Sequence, residues 1–309
     1  MPTDPISQQA SPQDAAADPV HIALPKGRMH DNIVDLLRGA GVSLRTSARG
    51  YRPNLSLPGF EAKVLKPQNI VTMLAAGTRD VGFAGADWAA ELSAEIDARD
   101  HALVELLDTG LDPVRIVAAA PRDMLVQGRL PTDRTIRVAG EMEQLARRWI
   151  ESRGLDATFV RTYGATEVFP PEDADCIIDV TQTGATLEAN ALEIVDELMT
   201  SSTRLYASSR ALDNPETKRR IDDLVLLLRS VLDARDRAMI EVNVPTDRLA
   251  ELISALPCMR EPTVSTLSEG RGHAVRVAAP RRDLPELIPL IKARGGTDIV
   301  VIPIQQLVP

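Results

Sequence analysis

Between Asp175 and Asn190 the chain reads DCIIDVTQTGATLEAN. An apolar run ends in an acid, Asp179. The run is followed by Thr181, Gln182, Thr183, Gly184, Ala185 and Thr186, and then by a helical pattern. A helix start offers unpaired N–H groups and the positive end of a dipole. Gly184 permits positive φ and close backbone approach, and the three threonine hydroxyls add donors. Together these make a nest for one phosphate. Asp179 cannot help to hold phosphate, but at the strand end it is suited to accept hydrogen bonds from two vicinal hydroxyls. Asp175, four residues earlier, is a second acid of the same stretch. A phosphate nest beside a hydroxyl-binding acid is what a ribose 5-phosphate group requires. The competing reading is a common helix cap, with Asp179 capping another segment.

Such a loop needs a strand before it and a helix after it, and the chain supplies that unit repeatedly. VHIAL (20–24) runs into PKGRMHD and then a helical pattern carrying Ile33, Val34, Leu37 and Ala40. Further strands are expected at 80–84, 114–120, 135–139, 176–180 and 203–207, mostly continuous apolar runs of the kind that parallel strands buried on both faces show. MEQLARRWIESRG (142–154) reads as a helix closed by a glycine suited to a C-cap, and about 214–236 as one long helix. The character then changes. Strands at 238–244, 262–267, 274–280 and 298–304 alternate with helices at 246–256 and 283–295 in the order βαββαβ, the ferredoxin-like motif. The expected divisions are a disordered tail (1–19), lobe I (20–113 with 194–235), lobe II with the loop (114–193), and a small α+β domain (236–309).

The totals bound the partners. The chain has 309 residues and a net charge of -9, which disfavours a nucleic-acid surface. It is 44% hydrophobic but only 3% aromatic, so aliphatic side chains must fill the core. Its two cysteines, Cys176 and Cys258, form no disulfide framework or zinc spacing. That fits a reducing, cytoplasmic location. No apolar run is long enough to span a membrane, and the first 19 residues lack the basic start and apolar core of a signal peptide.

Several stretches together resemble the ATP phosphoribosyltransferase family of histidine biosynthesis, in its long form with a C-terminal regulatory domain. They are IALPKGRM (22–29), KPQNIVTMLAAGTRDVGFAGADW (66–88), GATEVFP (164–170), the loop stretch itself, SSTRLYAS (201–208), EPTVSTLSEG and GGTDIVVIPI. The resemblance covers about residues 20 to 309. It implies a two-lobed core like that of periplasmic binding proteins. It also implies attack of N1 of the ATP adenine on C1 of 5-phosphoribosyl 1-diphosphate, with pyrophosphate leaving in complex with Mg2+. The adenine is the nucleophile, so the protein must align two substrates and neutralise a leaving pyrophosphate.

By that resemblance, residues 181–186 hold the 5-phosphate and Asp179 the ribose hydroxyls, with Asp175 a weaker candidate. Lys26, Arg28, Arg49 and Lys66 are assigned to triphosphate and pyrophosphate, with Gly27 between the first two. Three of the five lysines, Lys26, Lys63 and Lys66, fall in that early stretch. The PKGR loop lies where open α/β sheets place ligand contacts. Gly85, Glu141 and Glu167 are further candidates, although Glu141 also reads as a first-turn acid complementing a helix dipole. No residue is expected to ligate the metal directly. Two departures stand out. Gly140-Glu141-Met142 replaces a Thr-Glu-aromatic pattern, which removes a hydroxyl and a ring from the adenine side. Lys66 stands where arginine is common, which keeps charge without bidentate geometry. In the C-terminal domain the resemblance points to histidine as inhibitor, bound between copies at Asn243, Met259, Thr263 and Asp298, and to a homo-oligomer between dimer and hexamer. The rival readings are a solute-binding protein or regulator, for which the signal peptide and helix-turn-helix are missing, and an inactive relative that keeps the fold.

Overall fold

The computed structural model describes residues 18–45, 50–92, 96, 102–256 and 261–309. The expected tail falls outside these apart from Asp18 and Pro19, as do Arg49 and Met259. The core is built on one eight-stranded sheet, in the order β4-β1-β5-β10-β6-β9-β7-β8. Its strands are β1 (Val20–Pro25), β4 (Phe60–Leu65), β5 (Val81–Gly85), β6 (Leu103–Pro121), β7 (Ile136–Gly140), β8 (Ala157–Arg161), β9 (Cys176–Thr181) and β10 (Leu192–Ser208). A two-stranded ribbon, β2 (Leu44–Arg45) with β3 (Asn54–Leu55), sits apart from it.

The expectation of a mainly parallel sheet holds only for the flanks. β1 runs parallel to β4 and β5, and β7 runs parallel to β8 and β9. The two central strands break the pattern: β10 is antiparallel to both β5 and β6, and β6 is antiparallel to β9. β6 and β10 are far longer than the apolar runs that announced them, because each passes through both lobes. Only the second half of each has a further neighbour, β9 for β6 and β5 for β10, and their mutual register breaks between Ser201 and Arg204. Opposite that break, Gly110 (φ 63°) and Asp112 (φ 51°) take left-handed conformations. The second crossing between lobes therefore lies at Ser201–Thr203, about eight residues beyond the expected boundary at 193/194. Residues 194–200 pair with the lobe II half of β6.

Alternation along the strands feeds a core on each face. In lobe I, Val20, Ile22 and Leu24 pack with Ile33, Leu36 and Leu37 of α1 (Met29–Gly39) and with Ile221, Leu224 and Leu228 of a later helix, Pro215–Arg235. Ala23 turns to the opposite face, toward Ile70, Val71 and Leu74 of α2 (Pro67–Ala75). That face continues into α3 (Ala86–Glu91) through Trp88 and Ala89. In lobe II, Ile116, Ala118, Val138 and Ile178 meet Leu145, Ala146 and Trp149 of α4 (Glu143–Arg153), which ends at Gly154 in the left-handed conformation (φ 60°). Val117, Ala119 and Ile177 face the other way, onto Leu187 of α5 (Ala185–Ala189).

Past α6 (Ser209–Asp213), α7 (Pro215–Arg235) starts at Asn214, whose side chain accepts from the amides of Glu216 and Thr217. It leads to β11 (Arg237–Val244), α8 (Leu249–Ala255), β12 (Thr263–Thr266), β13 (His273–Pro280), α9 (Leu284–Ala293) and β14 (Thr297–Pro303). The sheet order is β12-β13-β11-β14, and the buried row Ile240, Val242, Val275 and Val277 lies under Leu252, Leu287 and Ile291. The βαββαβ reading of this part is met by a ferredoxin-like domain.

One candidate of the phosphate stretch belongs to the scaffold. Asp175 precedes β9 at the end opposite the loop and is 4% exposed. Its carboxylate accepts from Arg134 Nη2 at 2.8 Å and from the Arg137 amide at 2.6 Å. Burial acts to raise its pKa, but these two hydrogen bonds and the charges of both arginines outweigh it and hold the group below the ordinary carboxylate value. A depressed folded-state pKa stabilises the fold above the unfolded pKa and loses that contribution as pH falls through the folded value. Asp175→Asn is therefore expected to lower stability by about 1–3 kcal/mol at pH 7. In urea titrations the difference should shrink below about pH 4. An Asn variant that stays fully stable but loses ligand affinity would return Asp175 to the site.

Candidate functional site

The carboxyl ends of β1 and β4 lie side by side, with Pro25 in register with Leu65. Lys26 and Lys66 thus leave adjacent parallel strands, spaced by roughly one inter-strand distance of 4.8 Å. The Lys26 amide bonds the Leu65 carbonyl at 2.8 Å. Gly27 makes the turn at φ 86°, with open space where a Cβ would stand, so its backbone conformation and not crowding asks for glycine. Arg28 then stands directly before α1. Lys26 Nζ is 3.4 Å from Tyr51 Oη and 5.3 Å from the centre of that ring. Lys26, Arg28 and Lys66 are all exposed, and among the described residues none of them is in an ion pair. Three cations without an ion pair at these strand ends are chemically suited to an anion.

Lys26 and Arg28 open onto a cleft of about 210 Å³ between the lobes. Its far wall is Glu141, Met142 and Val180 of lobe II. Its floor is the strand crossing. There Asp87, 7% exposed, accepts from Ser201 Oγ at 2.7 Å, while its own amide donates to Ser201 Oγ at 3.1 Å. Asp112, 8% exposed, accepts from Asn32 Nδ2 at 2.7 Å and from Thr203 Oγ1 at 2.9 Å. Gly85 lines the cleft as well, and a Cβ on it would come within 2.0 Å of Asp87 Oδ1. Its glycine is demanded by the packing of that carboxylate. Gly140 has a similar origin: a Cβ there would reach 2.9 Å from the Ile178 carbonyl on neighbouring β9.

The threonine loop turns at Gly184, φ 87°. Thr181 Oγ1 accepts from the Gly184 amide at 2.9 Å, and Thr183 Oγ1 accepts from the Ala185 amide at 3.3 Å. A hydroxyl that accepts in this way keeps its own O–H to donate, so the threonines both shape the loop and remain donors. Gln182, Thr183, Ala185 and Thr186 are exposed. The helix behind the loop, α5, has five residues, so its dipole is weaker than the sequence reading assumed and the loop's own donors carry more of the burden.

Asp179 is half-buried, and its carboxylate accepts from the Val180 amide at 2.7 Å. Burial pushes its pKa up, the Val180 amide opposes, and the charges of Glu167 and Glu141 push it up further. The register explains the company. Gly140 of β7 lies opposite Ile178 of β9, so Glu141, just past the end of β7, comes beside Asp179, which the structure places inside β9 and not at its end. Glu167 arrives on the short turn Thr166–Val168, anchored by a 2.8 Å contact between the Thr162 and Thr166 hydroxyls. Lobe II thus presents an acidic wall with a donor loop, and lobe I a cationic one. Among the described residues no group of three or more His, Cys, Asp or Glu side chains is arranged to hold a metal ion.

Asp112 escaped the sequence reading, and Ser201–Thr203, read there only as part of the SSTRLYAS stretch, were given no place in the site. Their signal is a polar, glycine-containing interruption, DTGLD, inside an otherwise alternating strand, which marks a bulge. In the C-terminal domain, Asn243 Nδ2 donates to Asp298 Oδ2 at 3.0 Å, and Asp298 sits at φ 49°. Thr263 lies on β12, the opposite edge of that sheet, so these positions do not converge within one copy. The acid cluster makes a direct prediction. Glu167→Gln should lower the titration midpoint of the Asp179 carboxyl carbon in 13C NMR, with a smaller drop in Glu141→Gln. An unmoved midpoint in both would mean the three acids are not in electrostatic contact.

The chain matches the family model of ATP phosphoribosyltransferase over residues 66–230 and that of the HisG C-terminal domain over residues 234–306. It is 31% identical to the ATP phosphoribosyltransferase of Pelotomaculum thermopropionicum across 94% of this chain and 99% of that one. With the enzyme of the same name from Chlorobium phaeovibrioides it shares 31% identity across 93% and 97% of the two chains. Among solved structures, a chain of the ATP phosphoribosyl transferase (HisG:HisZ) complex from Thermotoga maritima superposes with a TM-score of 0.60 at 23% identity, covering 98% of that chain and 69% of this one. Matched by the family model over its core and by full-length relatives over nearly all of its length, the chain belongs to the ATP phosphoribosyltransferase family of histidine biosynthesis.

Proposed function

We propose that the interlobe cleft and the threonine loop divide the two substrates of this phosphoribosyl transfer between them. The supporting observation is the pairing of walls. Unneutralised Lys26, Arg28 and Lys66 stand on lobe I, and a loop of hydroxyl donors stands beside Asp179 on lobe II. The loop 181–186 takes the 5-phosphate of phosphoribosyl diphosphate, and Asp179, ionised, accepts from the ribose 2- and 3-hydroxyls. Lys26, Arg28 and Lys66 face the triphosphate of ATP and the diphosphate that leaves, and Gly27 lets backbone approach both. Attack by adenine N1 on C1 breaks the bond from C1 to the diphosphate oxygen, and the electron pair departs with pyrophosphate. The cations stabilise that developing charge, while the two walls hold nucleophile and electrophile in line. Mg2+ fits as an ion carried on the diphosphate with its own waters, the usual habit of magnesium at substrate phosphates. Glu141 and Glu167 are kept as cleft-side acids that tune Asp179.

The test is turnover. Purified chain is mixed with ATP, phosphoribosyl diphosphate, Mg2+ and pyrophosphatase, and N1-phosphoribosyl-ATP is followed by near-ultraviolet absorbance and mass. Loss of charge-assisted hydrogen bonds at Asp179 is worth about 1.5–3 kcal/mol, so Asp179→Ala should raise KM for phosphoribosyl diphosphate roughly 10- to 100-fold. Unchanged binding and turnover would remove Asp179 from the site.

Regulation by histidine belongs to the same reading. The ferredoxin-like domain binds the pathway product between copies of itself, using Asn243 and Asp298 from one edge and Thr263 from the other, which fits a cytoplasmic homo-oligomer. No helix among the described residues is long and apolar enough to cross a membrane. A chain ending after α7 is expected to lose histidine inhibition; an active, folded truncation that histidine still inhibits would put the inhibitory site in the core.

A further inference from the structure

Helix α4 begins at the cleft. Its N-cap is Met142, which supplies no capping side chain and whose own side chain is buried in the lobe II core. A serine or aspartate cannot stand there without removing part of the cleft wall. The orphan amides of the first turn are satisfied from the other lobe instead. Glu91, the last residue of α3, is 4% exposed, and its two carboxylate oxygens accept from the Gln144 amide at 3.0 Å and the Leu145 amide at 2.9 Å. A second bond crosses at the same place, from Arg148 Nη2 to the Ala90 carbonyl at 2.7 Å. On the lobe II side, Arg161 donates to the Glu141 carbonyl at 3.3 Å and to Glu143 Oε2 at 2.8 Å. The segment Glu141–Met142 is thus held from below by Arg161 and its own core, and from across the cleft by Glu91.

We propose that Glu91 is a positioning residue for the cleft. It is a carboxylate lent by lobe I to the N-terminus of a lobe II helix, and it sets the distance between the Glu141–Met142 wall and the cations Lys26 and Arg28. Any motion of lobe II that parts α4 from α3 must first unpair the buried Leu145 amide, the part-buried Gln144 amide and a buried charge. Such states are disfavoured unless another interaction compensates. The loop 181–186 is not held by Glu91, since it hangs on β9 and α5. Removing the cap therefore alters the ligand held between the two walls and spares the one held by the loop. This inference rests on the assignment of ATP to the cleft.

The experiment uses the full-length enzyme carrying Glu91→Gln. This change keeps the side-chain volume but replaces one accepting oxygen with an NH2 group that cannot accept. Amide exchange by mass spectrometry should accelerate in the segment spanning residues 143–147. KM for ATP should rise about five- to tenfold, while kcat and KM for phosphoribosyl diphosphate stay within about twofold. If kcat and both KM values worsen together in step with a lowered Tm, or if nothing changes, the inference is overturned and Glu91 is only part of the scaffold. Arg28→Ala is run in parallel. If it raises KM for ATP while Glu91→Gln does not, the positioning role alone fails; if Arg28→Ala leaves KM for ATP unaltered, the assignment of the cleft fails and takes the inference with it. Should Glu91→Gln not fold, Glu91→Asp, which keeps the charge and shortens its reach, is read against the same outcomes.

Discussion

Two strands that cannot leave the sheet must nevertheless change lobes, and the rest of the molecule is arranged around that demand. β6 and β10 remain paired through both halves of the core. Where they cross, the ladder gives way to left-handed residues and a broken register. The polar groups freed there would be costly if left unpaired in a buried place. Thr109 Oγ1 donates to the Thr203 carbonyl and accepts from the Leu111 amide, and Asp108 accepts from the Gly110 amide. Beside them Asp87 and Asp112 pair with Ser201, Thr203 and Asn32 and form the floor of the cleft.

From that floor the two walls differ in sign. The carboxyl ends of β1 and β4 carry lysines and an arginine without ionic partners, whereas many arginines elsewhere are spoken for, as Arg134, Arg153, Arg161 and Arg204 show. Across the cleft, Glu167 and Glu141 raise the proton affinity of Asp179 on β9. A protein with a net charge of -9 thus keeps a local positive edge. The cleft is polar across its width, cationic on lobe I and acidic on lobe II.

The features legible in the sequence were those whose determinants lie within a few residues. The turn at Gly184, the cap at Gly154, the long helix at about 214–236, and the whole βαββαβ order of the last domain are local patterns of alternation and turn chemistry. What escaped depends on partners far along the chain. Asp175 looks like a twin of Asp179 in sequence, yet Arg134, 41 residues away, claims it. Glu91 looks like an ordinary helix acid until Leu145, 54 residues away, is seen beside it. β4 and the first half of β6 were missed because their charged residues interrupt the apolar run, and nothing local says that a neighbouring strand will cover them. The small residues Gly85 and Gly140 invited a nucleotide-turn or lost-contact reading, when close packing against Asp87 and Ile178 accounts for them.

The discontinuity of lobe I also has a consequence in time. Its core joins Val20, Ile22 and Leu24 to Ile221, Leu224 and Leu228, so it cannot be completed until about three quarters of the chain has been synthesised. The core of lobe II draws on residues between Trp88 and Met199 and can close earlier in synthesis. A chain emerging from the ribosome therefore carries β4, β1 and β5 before β10, the strand that pairs with β5 and closes that edge of the lobe I sheet, has been made. Long-range closure of this kind is slow and aggregation-exposed.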